Sequence, residues 1–230
     1  MQNKLTQKDI KEFVKKKMPM VGRLKELMYS FFSQPKPFPG SKEYWEARYA
    51  AGQNSGDGSY GKLADFKAEI VNKFVIEKKL ESVIEFGCGD GNQLKLSKYP
   101  NYIGFDVSET AVNKCKQLFA GDNSKEFGRM CDYAGQKADL VLSLDVIYHL
   151  VEDSVFNEYM RTLFVASNKY VVIYSSDFDD GQDSKAGHVR NRKFSYWIQQ
   201  NLPGWKLLKH IPNRYTGESW SEFFIYEKIS

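Results

Sequence analysis

The chain alternates between two spacings of apolar residues, one typical of helices and one typical of strands. In "LADFKAEIVNKFVIEKK", Phe66, Ile70, Phe74 and Val75 recur at helical spacing and predict an amphipathic helix that buries this face. Short apolar runs predict five strands, in the order "SVIEF", "NYIGFDV", "FGRMC", "DLVLSLDV" and "KYVVIYSS". Further helices are predicted in the order "GNQLKLSKY", "SETAVNKCKQLFA" with Ser108 as its N-cap, "SVFNEYMRTLFVAS" and "FSYWIQQNL".

This alternation predicts an α/β fold with a doubly wound, mostly parallel sheet in a three-layer α/β/α arrangement. Two more strands, "GWKLLKHI" and "SEFFIYEKI", follow each other without a helix between them. The last strand is therefore expected to run antiparallel and to complete a seven-stranded sheet. Ligands of such sheets bind at the carboxyl ends of the strands, near the first strand. Functional residues are therefore expected in the turns that follow the strands.

The N-terminal part of the chain differs in charge from the rest. Residues 1–48 hold eleven Lys and Arg against five Asp and Glu, whereas the remaining residues hold 22 against 24. We expect a basic helical arm and linker over residues 1–40, a lid segment over 41–62 and the main domain over 63–230. The chain has neither an apolar run near the ~20 residues of a membrane span nor an apolar secretory leader. Three cysteines without a CxxC spacing indicate neither a disulfide framework nor a zinc site, so a cytoplasmic protein is expected.

The stretch "VIEFGCGDG" places three glycines after the first strand, at Gly87, Gly89 and Gly91. A dinucleotide-binding loop has the pattern G-x-G-x-x-G, and its third glycine would fall at Asn92. Glu85, directly ahead of the loop, would repel a pyrophosphate and instead suits a cationic, amine-bearing ligand. Asp106 ends the second strand, where a carboxylate can accept both hydroxyls of a ribose.

Three motifs, "VIEFGCGDG", "GFDVSETAV" and "ADLVLSLDVIYHL", resemble those of the class I, Rossmann-like S-adenosylmethionine-dependent methyltransferases. The resemblance covers about residues 63–175. It implies that the cofactor is S-adenosyl-L-methionine and that the product is S-adenosyl-L-homocysteine. It also implies that Asp106 holds the ribose, that Val107 flanks the adenine and that Asp132 accepts from the adenine amine. The other cofactor-binding positions that it implies are Glu85, Gly87, Cys88 (a small residue filling space in the loop), Gly89, Gly91, Tyr133 and Leu144.

The segment "YWEARYAAGQNSGDGSYG" resembles the part of many such methyltransferases that folds over the bound cofactor. The resemblance implies that Arg48 pairs with the cofactor's carboxylate and that Tyr60, or Tyr44 or Tyr49, covers the cofactor. The alternative is that these aromatic residues pack between the arm and the core.

Candidate catalytic residues follow the fourth and fifth strands. Asp145 and His149 lie in "LDVIYHL", and His188 lies on the long loop after the fifth strand, where it is a candidate base. Tyr148, Asp177, Arg190 and Arg192 are predicted to bind the acceptor, with the arginines gripping an anionic group. The alternatives are that His149 packs at a helix start and that the loop is a solvated surface. No metal site is predicted, because the loop aspartates do not match the spacing of an EF-hand.

These features predict a methyltransferase that moves a methyl group to an O or N atom of a small-molecule or sugar/glycan acceptor. The segment after the fourth strand lacks the [DN]-P-P-[YF] motif and the Pro-Cys nucleophile of base-modifying enzymes, which disfavours a nucleic-acid base. Two alternatives remain open. One is a methyltransferase acting on nucleic acid or protein docked by the basic arm, and the other is a non-catalytic S-adenosylmethionine-binding module. The oligomeric state is not predicted.

Overall fold

The computed structural model describes residues 38–180 and 186–229. Nearly all of the predicted helical arm lies outside the described residues, and so do residues 181–185 of the long loop. Within the described ranges, no helix is both long enough and apolar enough to cross a bilayer.

The described chain consists of five helices and seven strands that follow the predicted alternation. The helices are α1 (Ser41–Ala50), α2 (Gly61–Lys78), α3 (Glu109–Leu118), α4 (Asp153–Val165) and α5 (Phe194–Asn201). The strands are β1 (Ser82–Phe86), β2 (Asn101–Asp106), β3 (Lys125–Arg129), β4 (Ala138–Leu144), β5 (Ser167–Ser175), β6 (Trp205–Ile211) and β7 (Glu222–Lys228).

The seven strands form one sheet in the order β3-β2-β1-β4-β5-β7-β6. Every pair is parallel except those of β7, which runs antiparallel to both β5 and β6. The predicted doubly wound sheet with an antiparallel last strand is therefore confirmed. The strand order reverses between β1 and β4, which places the ligand-binding crevice beside the glycine loop that follows β1.

Successive residues of the central strands contribute to opposite faces of the sheet, as strand geometry requires. Ile84 and Phe86 of β1 pack in one apolar cluster with buried residues of α4 and α5. Val83 of β1 packs in a second cluster with buried residues of α2 and α3. Both faces are thus covered by helices, which gives the predicted three layers. The predicted N-cap of α3 is also confirmed, because the Ser108 hydroxyl accepts from the Ala111 N–H at 3.1 Å.

Two local predictions are wrong. "GNQLKLSKY" does not start a long helix but forms a single 3₁₀ turn at Gln93–Leu96, with Leu94 buried. Few residues separate the glycine loop from β2, and Pro100 favours an extended approach to that strand, so there is no room for a helix and its return. The third strand ends at Arg129, and "MCD" turns away from the sheet as a second 3₁₀ turn at Met130–Asp132.

Candidate active site

A cavity of about 590 Å³ lies at the carboxyl ends of β1, β2 and β4. Its floor is the glycine loop, and its roof consists of side chains from α1 and from the lid segment. Residues of α2, of the turn after β3 and of α4 complete its wall. The cavity therefore lies where the reversal of strand order predicts a ligand site.

The glycine loop needs glycine at Gly87 and Gly89 for both conformation and space. Their φ angles are 86° and 59°, in the left-handed region that favours glycine. A Cβ on Gly87 would lie 2.4 Å from Val146 Cγ2, and one on Gly89 would lie 2.4 Å from Ser55 Oγ. Both glycines line the cavity. Gly91, also predicted to bind the cofactor, packs instead against Cys115 and Phe119.

Two buried carboxyls, Glu85 and Asp106, border the cavity close to this loop. Asp106 accepts from the Gly89 N–H and the Ser108 N–H, both at 2.9 Å, and Glu85 accepts from the Tyr102 hydroxyl at 2.7 Å. Burial raises the pKa of Glu85 to about 7, against the opposing effects of the Tyr102 hydrogen bond and the Lys67 charge. Burial likewise raises the pKa of Asp106 to about 6. Both carboxyls are therefore poised to be stabilised in their charged form by a ligand that brings donors or positive charge.

The raised pKa of Glu85 predicts that the ligand-free protein loses stability as the pH rises from about 5 to about 7.5. A carboxyl whose folded pKa exceeds its unfolded value stabilises the fold while protonated, and this contribution is lost as the pH rises through the folded value. The shift from 4.5 to about 7 corresponds to a loss on the order of 3 kcal/mol. Urea unfolding at several pH values should show this decline in the wild-type protein and a smaller one in Glu85→Gln. An equal decline in both would contradict the assignment.

The lid segment is tied to the glycine loop through Asp90. The Ser55 N–H and the Tyr60 hydroxyl donate to Asp90 Oδ2 at 3.0 and 2.8 Å, and the Asp90 N–H donates to Ser55 Oγ at 2.9 Å. Burial alone would raise the pKa of Asp90, but these and other hydrogen bonds outweigh it and hold the pKa below its ordinary value. The Tyr60 hydroxyl thus reaches the loop rather than the cavity wall.

Arg48 lies away from the cavity, whereas two aromatic residues of the same helix border it. The Arg48 Nε–H donates to the Asn54 carbonyl at 2.8 Å, and Arg48 does not line the cavity. Trp45 and Tyr49 of the same helix do line it. The aromatic spacing of "YWEARY" marks this face of the helix, but it does not distinguish cavity contact from packing on the core.

A buried ion pair stands at another part of the cavity wall. Lys67 of α2 has a side chain that is 1% exposed, and its Nζ lies 2.6 Å from Asp145 Oδ2. Asp145 Oδ1 accepts from the hydroxyls of Tyr148 and Ser221 at 3.0 and 3.1 Å. Asp145 has a φ of 59°, so β4 ends before it and its side chain turns toward α2. The periodicity of α2 does not single out Lys67, because a lysine in an amphipathic helix usually faces solvent.

Gly58 of the lid lies directly against this ion pair. A Cβ on Gly58 would come within 2.7 Å of Asp145 Oδ2. Glycine therefore allows the lid backbone to close over the carboxylate.

His149 lines the cavity, whereas His188 does not. The rings of Tyr44, His188 and His149 form a stack, with centroid distances of 4.5 and 5.5 Å. His149 Nδ1 lies 3.0 Å from the His188 carbonyl oxygen, so Nδ1 carries the proton and Nε2 is the acceptor nitrogen. Burial lowers the pKa of His149 to about 4, so its ring is neutral near pH 7. Burial, followed by the charge of Arg48, also lowers the pKa of His188.

Several of the residues predicted to bind the cofactor border the cavity at the ends of different strands. Val107, Tyr133, Leu144 and Cys88 line the cavity, together with Met130 and Cys131. Asp132 does not, because its carboxylate is bound to Arg129, with 3.0 Å between Oδ2 and the Arg129 N–H nitrogen. The structure thus places the "CDY" segment at the cavity but turns the predicted acceptor side chain away from it.

The charged residues of the loop after β5 that were predicted to bind the acceptor make hydrogen bonds and ion pairs within the fold. Arg190 and Arg192 donate to the Val151 carbonyl and pair with Asp153 at 3.0 and 3.1 Å. Asp177 accepts from the Ser195 N–H and hydroxyl at the start of α5. The two arginines border a separate surface groove, and Asp177 borders neither cavity nor groove. Among the described residues, no cluster of side chains could hold a metal ion.

The cavity fits a nucleoside that carries an amino group. Gln93 lines it and is 93% buried, and its Oε1 has no hydrogen-bond partner among the described residues while its Nε2 donates to the Ala64 carbonyl. A buried acceptor of this kind calls for a donor. The ammonium of a methionine group would supply that donor, to Gln93 and to the nearby carboxyl of Glu85. The ribose hydroxyls could use the lone pairs of Asp106 that its two backbone donors leave free.

Three solved structures are similar in fold to this chain. An N-methyltransferase, NodS from Bradyrhizobium japonicum WM9 in complex with S-adenosyl-L-homocysteine, is 12% identical with a TM-score of 0.65, over 83% of this chain and 100% of that one. The magnesium protoporphyrin IX methyltransferase ChlM from Synechocystis PCC 6803, with bound SAM, is 16% identical with a TM-score of 0.60, over 84% and 100%. An O-methyltransferase family protein from Burkholderia thailandensis is 14% identical with a TM-score of 0.56, over 83% and 60%. A search of curated proteins finds no significant match.

At these identities the solved structures establish the fold alone. A family model described as a methyltransferase domain matches residues 59–224, well over half of the chain. The matched span runs from the lid segment through β7 and includes the glycine loop, Asp106 and the Lys67–Asp145 pair. The chain therefore belongs to the methyltransferase domain family and has the fold of the class I S-adenosylmethionine-dependent methyltransferases.

Proposed function

We propose that the chain transfers a methyl group from S-adenosylmethionine to an O or N atom of a small-molecule or sugar/glycan acceptor. The observation that carries this proposal is the size of the cavity, together with the helix α1 fastened beside it. The Ser41 hydroxyl donates to the His149 carbonyl at 2.8 Å, and its N–H donates to Glu152 at 2.8 Å, which holds α1 at the cavity. A cavity of about 590 Å³ is the size of a small-molecule site. It suits an acceptor that enters whole or inserts a single unit.

The cofactor supplies, when bound, an electrophilic methyl group on a sulfonium that is a good leaving group. Asp106 would hold its ribose, and Glu85 with Gln93 would hold its ammonium, over the backbone of Gly87 and Gly89. The remaining task of the chain is to align an acceptor with the methyl group and to exclude water. The lid performs the exclusion through its hydrogen bonds to Asp90.

His149 is suited to orient an acceptor rather than to ionise it. Its Nε2 is the acceptor nitrogen of the neutral ring, and the ring borders the cavity. With a pKa of about 4, the imidazole is too weak a base to remove a hydroxyl proton ahead of transfer. It can accept a hydrogen bond from a hydroxyl or amine and so point the acceptor's lone pair at the methyl group. Asp145 is engaged by Lys67, Tyr148 and Ser221 and supports this wall of the cavity.

The proposal is tested by incubating the protein with S-adenosylmethionine labelled in the methyl group, together with fractionated metabolites, glycans and RNA. We expect the wild-type protein to label a metabolite or glycan fraction. The Asp106→Ala variant should label no fraction. Label in the RNA fraction would contradict the proposed acceptor class. Binding of the cofactor without uptake by any fraction would favour a non-catalytic binding module.

The alternative of a polymer acceptor rests on the basic N-terminal region. If the chain docks on nucleic acid through residues 1–35, deleting them should weaken binding to RNA or DNA in a salt-dependent way. If the acceptor is small, methylation of that acceptor by the shortened protein should not depend on the salt concentration.

A further inference from the structure

A second recess lies beside the cavity and shares no lining residue with it. It is the surface groove that Arg190 and Arg192 border, and its volume is about 580 Å³. Its lining comes from the start of α4, from the loop after β5 and from α5. Leu150 and Glu152 border the cavity, whereas Asp153, the next residue, borders the groove. Because consecutive residues are only about 3.8 Å apart along the chain, the two recesses lie next to each other at this segment.

The groove and the cavity differ in the sign of their charge. Six carboxyl groups and two amines line the cavity, whereas three cationic side chains and two carboxyl groups line the groove. Asp153 pairs with both Arg190 and Arg192, at 3.0 and 3.1 Å, so one carboxylate is shared between two guanidiniums. Lys193 is exposed, and its amine pairs with no carboxylate of the described residues. An acidic ligand is therefore attracted to the groove rather than to the cavity.

Helix α5 presents uncommitted side chains to the groove. Tyr196 is 60% exposed and Gln200 is exposed, and neither side chain makes a hydrogen bond to a residue that the structure describes. They are four residues apart, so they lie on the same face of the helix. Asn157, by contrast, accepts from the Trp197 Nε1–H at 2.7 Å and donates to the Asp153 carbonyl at the same distance. The groove thus combines polar groups that are already paired with a phenol, an amide and an amine that are not.

This combination matches a saccharide unit that carries a carboxylate. The Tyr196 ring has an apolar face for a sugar ring and a polar hydroxyl at its tip. The Gln200 amide both donates and accepts, which suits sugar hydroxyls, and the Lys193 ammonium suits an acidic group. The groove has an excess of one positive charge, which one carboxylate balances, whereas a phosphate carries nearly two negative charges.

Resting on the proposed function, we propose that the groove is a second saccharide-binding site, which holds a uronate-type unit of a glycan acceptor while another unit of the same glycan enters the cavity. Lys193 and Tyr196 are the specificity-determining residues in this assignment. Since the groove and the cavity are separate recesses on either side of residues 150–153, the acceptor has to be longer than one sugar unit to occupy both. The consequence is that an acidic oligosaccharide binds the protein more tightly than a neutral one of the same length.

The test is calorimetric titration of the full chain with hexagalacturonate, an acidic hexasaccharide, and with cellohexaose, a neutral one. Lys193→Gln removes the charge and Tyr196→Ala removes the ring, and both side chains are exposed, so neither change opens the core. Lys209→Gln and Trp220→Leu are the matched controls, because these exposed residues border neither recess. We expect wild type and both controls to bind hexagalacturonate at least about 5-fold more tightly than cellohexaose. Each groove variant should weaken the binding of hexagalacturonate by roughly 5-fold or more, and Lys193→Gln should leave that of cellohexaose unchanged.

The outcomes separate this inference from the proposed function. If wild type does not bind hexagalacturonate, or binds it no better than the groove variants do, the inference is overturned and the proposed function is unaffected. Tighter binding of hexauridylate, a single-stranded RNA, that both groove variants abolish would also overturn it. Titration with S-adenosylhomocysteine checks the cavity independently. A protein that binds hexagalacturonate in the groove but binds no S-adenosylhomocysteine and labels no fraction would refute the proposed function, and the groove would then not be an acceptor site.

Discussion

Replacing Asp106 by alanine is expected to weaken the binding of S-adenosylhomocysteine by roughly 100-fold or more. Under the proposed function the buried carboxylate accepts both ribose hydroxyls, and each hydrogen bond to a charged group contributes on the order of 1.5–3 kcal/mol. The same carboxylate holds the Gly89 N–H and the Ser108 N–H, so the loop also loses support in the variant. Calorimetric titration of wild type and Asp106→Ala measures the difference directly.

A control ligand separates ribose binding from support of the loop. The 2′,3′-dideoxy analogue of S-adenosylhomocysteine lacks the two hydroxyls, so Asp106→Ala should weaken its binding only by the smaller factor that comes from lost support of the loop. If the substitution weakens both ligands by the same factor, Asp106 shapes the glycine loop and does not bind the ribose. Asp106→Asn keeps one acceptor oxygen, so its affinity for S-adenosylhomocysteine should lie between those of wild type and Asp106→Ala.

Replacing Lys67 by methionine is expected to destabilise the fold by about 3–5 kcal/mol. The substitution preserves most of the volume of the side chain but leaves the Asp145 carboxylate, which is only 12% exposed, without its cation. Asp145 would keep the hydroxyls of Tyr148 and Ser221 as partners, but neither carries a positive charge. Urea unfolding monitored by circular dichroism, which gives the free energy of unfolding, checks this prediction.

Lys62 provides a matched control on the same helix. It pairs with Glu218 at 2.5 Å, close to the 2.6 Å of the Lys67–Asp145 pair, but the side chains of Lys62 and Glu218 are both about half exposed. Because solvent screens an exposed pair, Lys62→Met should leave stability unchanged within error. The double variant Lys67→Met/Asp145→Asn should recover much of the loss, since it removes both charges of the pair and asparagine tolerates the left-handed backbone at this position. Equal effects of Lys62→Met and Lys67→Met would contradict the role assigned to burial.

The sheet and most of its helices could be predicted because their signals are local and repeated. β-branched runs such as "KYVVIYSS" and the helical spacing of α2 depend only on neighbours in the chain. Three glycines, an acid before them and an acid at the end of β2 define the cofactor side for the same reason. The 3₁₀ turn at Gln93–Leu96 could not be predicted from local spacing. Its length is limited by the few residues between the glycine loop and β2.

Most of the charged residues outside the glycine loop are positioned by contacts between distant parts of the chain, which no local pattern contains. Lys67 meets Asp145 because Asp145, the residue after β4, has a left-handed backbone that turns its carboxylate toward α2. Arg190 and Arg192 have the charge of a binding site, but carbonyl groups of residues 150–151 and the carboxylate of Asp153 engage them. Asp132 is different, because its partner Arg129 lies only three residues earlier in the chain and this pairing is a local signal.

Titration of the protein with S-adenosylmethionine, and separately with NAD, tests the central claim most directly. The G-x-G-x-G loop, the acid before it and the acid-lined cavity predict micromolar or tighter binding of S-adenosylmethionine and no binding of the anionic dinucleotide. Binding of NAD without binding of S-adenosylmethionine would contradict the assignment of the glycine loop to a cationic cofactor. The proposed cofactor site would then be wrong as well.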